Sequence, residues 1–238
     1  MNKDGRNYVK YSENVHIGNN VKFYSEVEIG NNSYIGDNVI IGHPTDEQIE
    51  QFLKDSKDGN KEIDNIVEGR IKIGKNSIIL PGTIIYPGTT IGDDFWCDTN
   101  TFIGMNTTIG NNTWFQYGTR VYHRCKIGNN CTLAGFVCND AIIGDTVNML
   151  GYLVHKFKQS ERGLREKSPV IEDEATVGML AIVIGNVTVG KGAYIGAGSV
   201  VTKDVKPYTT VLGNPCRELR NASFSFKTRP NIGRKQTT

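Results

Sequence analysis

The sequence predicts an all-β protein, a parallel β-helix of about eight triangular coils. Three observations lead there. An apolar residue recurs at multiples of six along most of the 238 residues. Glycine (27) and asparagine (23), which readily adopt the left-handed backbone of tight turns, each make up close to a tenth of the chain. The spacing fits neither the 3.6-residue period of a helix nor the alternation of a long strand.

The elements follow in order. A first run sets Ile17, Phe23, Ile29, Ile35 and Ile41 at intervals of six. A second extends from Ile73 through Ile91, Cys97, Ile103, Ile109, Phe115, Val121 and Ile127 to Leu133. After a four-residue step it resumes at Val137, Ile143 and Met149, and a third run spans Ile171 to Val201. Of these 25 positions, 13 are followed directly by Gly. A period of six with a turn former between apolar residues describes a short strand, a bend and another short strand. Three such faces close one coil of roughly 18 residues, and stacking at about 4.8 Å gives a prism near 40 Å long. Such a prism is one inward side chain thick, in keeping with a hydrophobic content of 38%.

Three segments break the repeat. In residues 43–70, Thr45-Asp-Glu-Gln48 reads as a capping box, with Ile49, Phe52 and Leu53 at helical spacing. This excursion is expected to shape an acceptor pocket or a subunit contact. Residues 150–169 form a charged loop containing His155. Residues 218–238, with Arg220, Lys227, Arg229, Arg234 and Lys235, form a solvated tail or a strap across a neighbour. Residues 1–217 are thus expected to be the β-helix domain and 218–238 its tail.

Composition narrows the function classes. A formal charge of +2 argues against nucleic-acid or membrane partners chosen by bulk charge. No apolar run reaches the roughly 20 residues needed to span a bilayer. Met1–Arg6 lacks the apolar stretch of a secretory signal, and five cysteines without Cys-x-x-Cys spacing imply neither a disulfide framework nor a zinc cluster. A cytoplasmic location is expected.

The repeat, closed by Ile195-Gly-Ala-Gly-Ser-Val-Val-Thr-Lys-Asp-Val205 and Gly213-Asn-Pro-Cys-Arg217, resembles the hexapeptide-repeat acyltransferases over most of residues 13–217. That resemblance implies a left-handed β-helix, a homotrimer with active sites between adjacent prisms, and acetyl-CoA as acyl donor without a metal. The acceptor it implies is the amine or hydroxyl of a small molecule, an amino sugar or nucleotide-linked sugar. By the same resemblance, Gly178, Ala197, Thr202, Lys203 and Arg217 contact coenzyme A, the two cations suiting its phosphates.

Direct transfer needs a base for the acceptor's proton, and histidine titrates near neutrality. Tyr122-His-Arg-Cys-Lys-Ile-Gly128 resembles the His-Asp-Cys-x-Ile-Gly element of bacterial sugar N-acetyltransferases, where the histidine is the base. Arg124 here replaces the acid, so the orienting carboxylate would come from Asp140, Asp145 or Glu174. Gly151-Tyr-Leu-Val-His155 resembles the active-site loop of galactoside, maltose and xenobiotic acetyltransferases, with the histidine displaced by three residues. The base is placed at His123, with His155 as its competitor. His43 opens the first excursion, and His16 sits within an ordinary repeat. Two other readings are a γ-class carbonic anhydrase, which lacks its close His-x4-His pair here, and a non-catalytic assembly platform.

Overall fold

The computed structural model describes residues 9–55, 67–156 and 167–219. The N-terminal Met1–Arg6, residues 157–166 of the charged loop and the basic residues from Arg220 onward lie outside the described residues. The fold is the left-handed parallel β-helix that the resemblance implies. Its three faces are parallel sheets of nine, eleven and nine strands, most of them two residues long. Register follows the repeat: Ile91 pairs with Ile109, Trp96 with Trp114, and Ile103 with Val121, each 18 residues on.

The coil number is larger than the sequence predicts, about ten rather than about eight. Four strands fall outside the counted series. Val9–Tyr11 precedes the first run and pairs with Val27–Ile29. Tyr152–Val154, at the edge of the charged loop, bridges Phe136–Val137 and Ile182–Ile184. Thr210–Gly213 extends the second sheet and turns back into the antiparallel strand Cys216–Glu218. Tyr11 keeps the six-residue spacing, whereas the later three complete the ladders although their spacing breaks it.

Each strand sends two side chains inward. The large one comes from the counted series, and Ile35, Ile79, Ile103, Phe115 and Leu133 are fully buried. The other, two residues earlier, is mostly small, as at Ser77, Thr83, Thr101, Thr107, Cys125, Cys131, Ala175 and Ala193, with Val39, Phe95, Val147 and Val187 as larger exceptions. Its hydroxyl reaches a corner carbonyl, as in Thr83 to Leu80 (2.9 Å) and Thr101 to Asp98 (2.7 Å), which removes the penalty of burying it. The buried cysteines belong to this interior. Desolvation pushes the thiols of Cys97 and Cys125 up to about 12 and that of Cys131 up to about 11, leaving them unreactive.

The corners use asparagine as the composition predicts, with Asn32, Asn76, Asn106, Asn112 and Asn130 all at positive φ. Many of these amides stack coil on coil, as from Asn112 Nδ2 to Asn130 Oδ1 at 2.8 Å.

The first excursion leaves the stack undisturbed, because Ile40–Ile41 pairs directly with Ile84–Ile85 across it. It carries helix α1 (Asp46–Asp55). The capping box is formed in both directions: Thr45 N–H donates to Gln48 Oε1 (2.9 Å), and Gln48 N–H to Thr45 Oγ1 (3.3 Å). Among the described residues, no helix is long and apolar enough to cross a membrane.

The outer surfaces of the sheets differ. The third presents half-buried Ile40, Ile84, Phe102, Phe136, Ile182 and Val200, with exposed Arg120 and Tyr152 among them. The first presents Lys72, Thr90, Thr108, Lys126 and Thr188, with Ile142 and Val170.

Candidate functional site

The corner that follows the third sheet gathers most of the histidines. The residue two places beyond each buried apolar side chain of that sheet falls in one column. Along it stand His43, Met105, His123, Asn139, His155 and Lys203. His123 and His155 are two coils apart, about 10 Å, and Lys203 lies a further two coils along the same edge.

Hydrogen bonds fix the state of His123. Its Nδ1 accepts the N–H of Met105 at 3.0 Å, and its own N–H donates to Asn139 Oδ1 at 2.9 Å. A carboxylate or amide oxygen fills this acceptor position at another corner, where Asp93 N–H donates to Asn111 Oδ1 and Asn111 N–H to Asn129 Oδ1. The imidazole thus replaces an Asn or Asp in the stacking ladder. With Nδ1 committed as acceptor, the neutral ring carries its proton on Nε2 and presents a donor. Burial lowers its pKa, assisted by the Arg124 guanidinium, against an opposing pull from Asp46, Glu47 and Asp140.

Rings surround this histidine. Tyr86 lies 5.7 Å from it and Tyr122 6.0 Å. Tyr86 also faces His43 at 5.1 Å, so the two histidines flank one tyrosine. His43 has the opposite polarity, since its Nδ1–H donates to the Pro44 carbonyl at 2.7 Å and leaves Nε2 as the acceptor. Burial, and then the Asp46 carboxylate, raise the pKa of Tyr86.

The three orienting carboxylates of the sequence reading are separated. Asp140 is held by Arg124, whose Nε and Nη2 donate to its two oxygens at 2.9 and 3.0 Å. Asp145 accepts the Asn129 N–H, and Glu174 pairs with Lys191 at 3.0 Å. Those two belong to the corner after the first sheet, away from either histidine. His155 follows strand Tyr152–Val154 directly, with Nδ1 buried.

The coenzyme A residues divide between two corners. Gly178 and Ala197 sit on successive coils at the corner after the second sheet, where the Gly178 N–H is spent on the Ile195 carbonyl (2.9 Å). Thr202 and Lys203 lie exposed at the corner after the third sheet. Arg217 is exposed on the strand that pairs Leu212 with it at the end of the second sheet. Among the described residues, no three His, Cys, Asp or Glu side chains come close enough to hold a metal ion.

A cleft opens beside His123, walled by the excursion that the sequence expects to shape an acceptor pocket or a subunit contact. It has a volume of about 400 Å³, and its walls come from α1 (Glu47, Gln48, Gln51), Glu68 and the prism corner (Met105, Asn106). The repeat register could have revealed it, because α1 leaves the column three coils before His123.

The pattern of coils has a counterpart among known proteins. The bacterial transferase hexapeptide model (six repeats) matches residues 12–43, 106–138 and 168–203. Over these three segments the chain carries the hexapeptide repeats of that transferase family. Among its relatives, serine acetyltransferase of Bacillus subtilis is 36% identical over 145 residues, 61% of this chain and 51% of the relative. Serine acetyltransferase of Bacillus pumilus is 47% identical over 75 residues, 32% of this chain and 34% of the relative. The 2,3,4,5-tetrahydropyridine-2,6-dicarboxylate N-acetyltransferase of Staphylococcus aureus is 42% identical over 66 residues, 27% of this chain and 28% of the relative. The hexapeptide-repeat chain thus spans about half or less of the length of these relatives. Among solved structures, soybean serine acetyltransferase complexed with serine aligns with 48% of this chain and 40% of its own, at 32% identity and a TM-score of 0.34.

Proposed function

We propose that this chain is an acetyl-CoA-dependent acetyltransferase acting on the amine or hydroxyl of a small molecule, an amino sugar or nucleotide-linked sugar. The observation that carries the reading is the single corner column that aligns His123, His155 and Lys203 beside the apolar third face. A trimer packed on that face would turn the column into a groove between two prisms. The similarity to serine and N-acetyltransferases supports the donor, and the serine relatives make an amino acid a further acceptor to test.

In the proposed reaction, the acceptor nitrogen or oxygen attacks the thioester carbonyl carbon. Its proton passes to a histidine, and coenzyme A leaves as the thiol after taking up a proton. The Met105 hydrogen bond divides the two histidines. His123 presents Nε2–H, which suits a donor to the acceptor molecule. His155, two coils nearer to Lys203, is then the base, in reversed order from the sequence expectation. Lys203 and Arg217 would hold the phosphates, with Gly178, Ala197 and Thr202 along the pantetheine.

Release of free thiol in the presence of acetyl-CoA and a panel of amino sugars, nucleotide-linked sugars and amino acids tests the activity. His155→Ala is expected to lower kcat by about 10²–10⁴ with coenzyme A affinity unchanged, as for loss of a general base. His123→Ala is expected to act mainly on acceptor KM. The reverse pattern would return the base to His123. Lys203→Ala and Arg217→Ala should each weaken acetyl-CoA binding by about 1–2 kcal/mol, as a charged hydrogen bond is lost. Unchanged calorimetric affinity in both variants would remove these residues from the site.

A further inference from the structure

We infer that the cleft between α1 and the His123 corner is the acceptor pocket and that Glu47 and Glu68 select an acceptor carrying a protonated amine. This rests on the acetyltransferase reading above. Three features of the cleft point there. Its volume, about 400 Å³, falls in the range of small-molecule sites. It is coupled directly to His123, since Met105 both lines the cleft and donates its N–H to the imidazole. A molecule seated against Met105 therefore lies next to the ring that presents Nε2–H.

The chemistry of the walls sets the class of ligand. A helix N-terminus by itself favours anions. Here that preference is already met inside the chain: the capping box uses the Thr45 and Gln48 amides, and Asp46 and Glu47 occupy the first turn. Two carboxylates are among the cleft's lining residues, Glu47 from α1 and Glu68 from the segment that leads back to the prism, and no cation is among the described ones. The field of α1 reaches the reacting corner, because the Asp46 and Glu47 charges act on His123 and the Asp46 charge on Tyr86. Gln48, Gln51 and Asn106 offer neutral amides suited to hydroxyl groups, and Met105 and Pro87 an apolar floor. Such a site takes a cationic, hydroxylated molecule and disfavours a carboxylate or phosphate placed within it. An anionic carrier group, if the acceptor has one, would project outside.

The experiment measures acetyl transfer by the full chain to glucosamine, a nucleotide-linked amino sugar and serine, each beside a counterpart in which a hydroxyl replaces the amine. Transfer is expected to the two amino sugars, and not to their hydroxyl counterparts or to serine, whose carboxylate would enter the cleft with its amine. Glu47→Gln and Glu68→Gln should each raise amine KM by about tenfold, the effect of losing a charged hydrogen bond. Their kcat and acetyl-CoA affinity should stay near wild type. Gln51→Trp, which fills the cleft, should abolish transfer while acetyl-CoA binding and melting temperature are retained. Equal turnover of the hydroxyl counterparts or of serine, no turnover of either amino sugar by a chain that binds acetyl-CoA, or unchanged KM in both Gln variants overturns this inference alone. A wild-type chain that binds no acetyl-CoA overturns the acetyltransferase reading, and this inference with it.

Discussion

His123 shows how a repeat protein can give one side chain a structural and a chemical duty. Its Nδ1 fills a slot that Asn111, Asn129 and Asp145 fill elsewhere on the prism. Protonating that nitrogen would set two donors against each other, so the ladder and burial both favour the neutral ring. The consequence for stability has a definite sign. A histidine whose folded pKa is lowered binds fewer protons in the folded than in the unfolded chain below the unfolded value, near 6.5. Its contribution is present above that pH and is lost as pH falls through it. His123→Asn should keep the ladder, since an amide oxygen can accept the Met105 N–H. The expected result is a melting temperature near wild type at pH 8 and a smaller fall than wild type between about pH 7 and 5. Parallel melting curves across that range would show that the ring's proton does not respond to folding. The column containing His123 was legible in the sequence as a matter of register. The Met105 bond was not, because it depends on which way a backbone amide points at a corner of unusual composition.

At the scale of the coil, the decisive elements are the two contracted turns. Leu133 to Val137 and Met149 to Leu153 each close the corner after the second sheet in four residues instead of six, and the partners there are 16 residues apart. Gly135 makes the first closure possible. Its φ of +109° is foreign to residues with a side chain, and a Cβ would press on the Gly151 carbonyl oxygen of the next coil. Gly118, one coil earlier at the same corner, has φ +67° and open space around it. Gly135→Ala is therefore expected to cost about 1–3 kcal/mol, as a combination of strain and clash. Gly118→Asn should leave the melting temperature nearly unchanged, since asparagine holds that conformation at many corners of this chain. Equal losses in the two variants would mean that crowding at Gly135 is absorbed by the coil. The four-residue step at Leu133 was visible in the sequence, whereas the second was hidden by the charged segment that follows it. That is why the strand Tyr152–Val154 went uncounted while α1, signalled by its capping box, was anticipated. The small inward residues were also missed, because Ser and Thr at these positions look polar until their hydroxyls are seen bonded to corner carbonyls.

For the whole molecule, a prism one side chain thick leaves much of its apolar surface outside, and the third sheet carries most of it. Ile40, Ile84, Phe102, Phe136, Tyr152, Ile182 and Val200 form a stripe along the prism, interrupted by Arg120 between Phe102 and Phe136, while the first sheet presents lysines and threonines together with Ile142 and Val170. An apolar stripe of this kind suits an association site, and obligate interfaces resemble a core cut in half. The stripe also borders the column of His123, His155 and Lys203, so association there would wall in the proposed groove with a second prism. The three-fold ring that the resemblance implies would use the same contact at every boundary. The proposed homotrimer is expected to give a light-scattering mass three times the 26.3 kDa of the chain. Ile182→Glu together with Phe136→Glu places two charges on the stripe and should yield monomers that have lost acetyl transfer, because each groove would be half a site. Thr108→Glu, on the first sheet, adds a charge of the same kind and should leave both assembly and activity intact. Monomeric wild-type protein, or monomeric variants that retain full turnover, would confine the active site to a single prism and remove the third face from the mechanism.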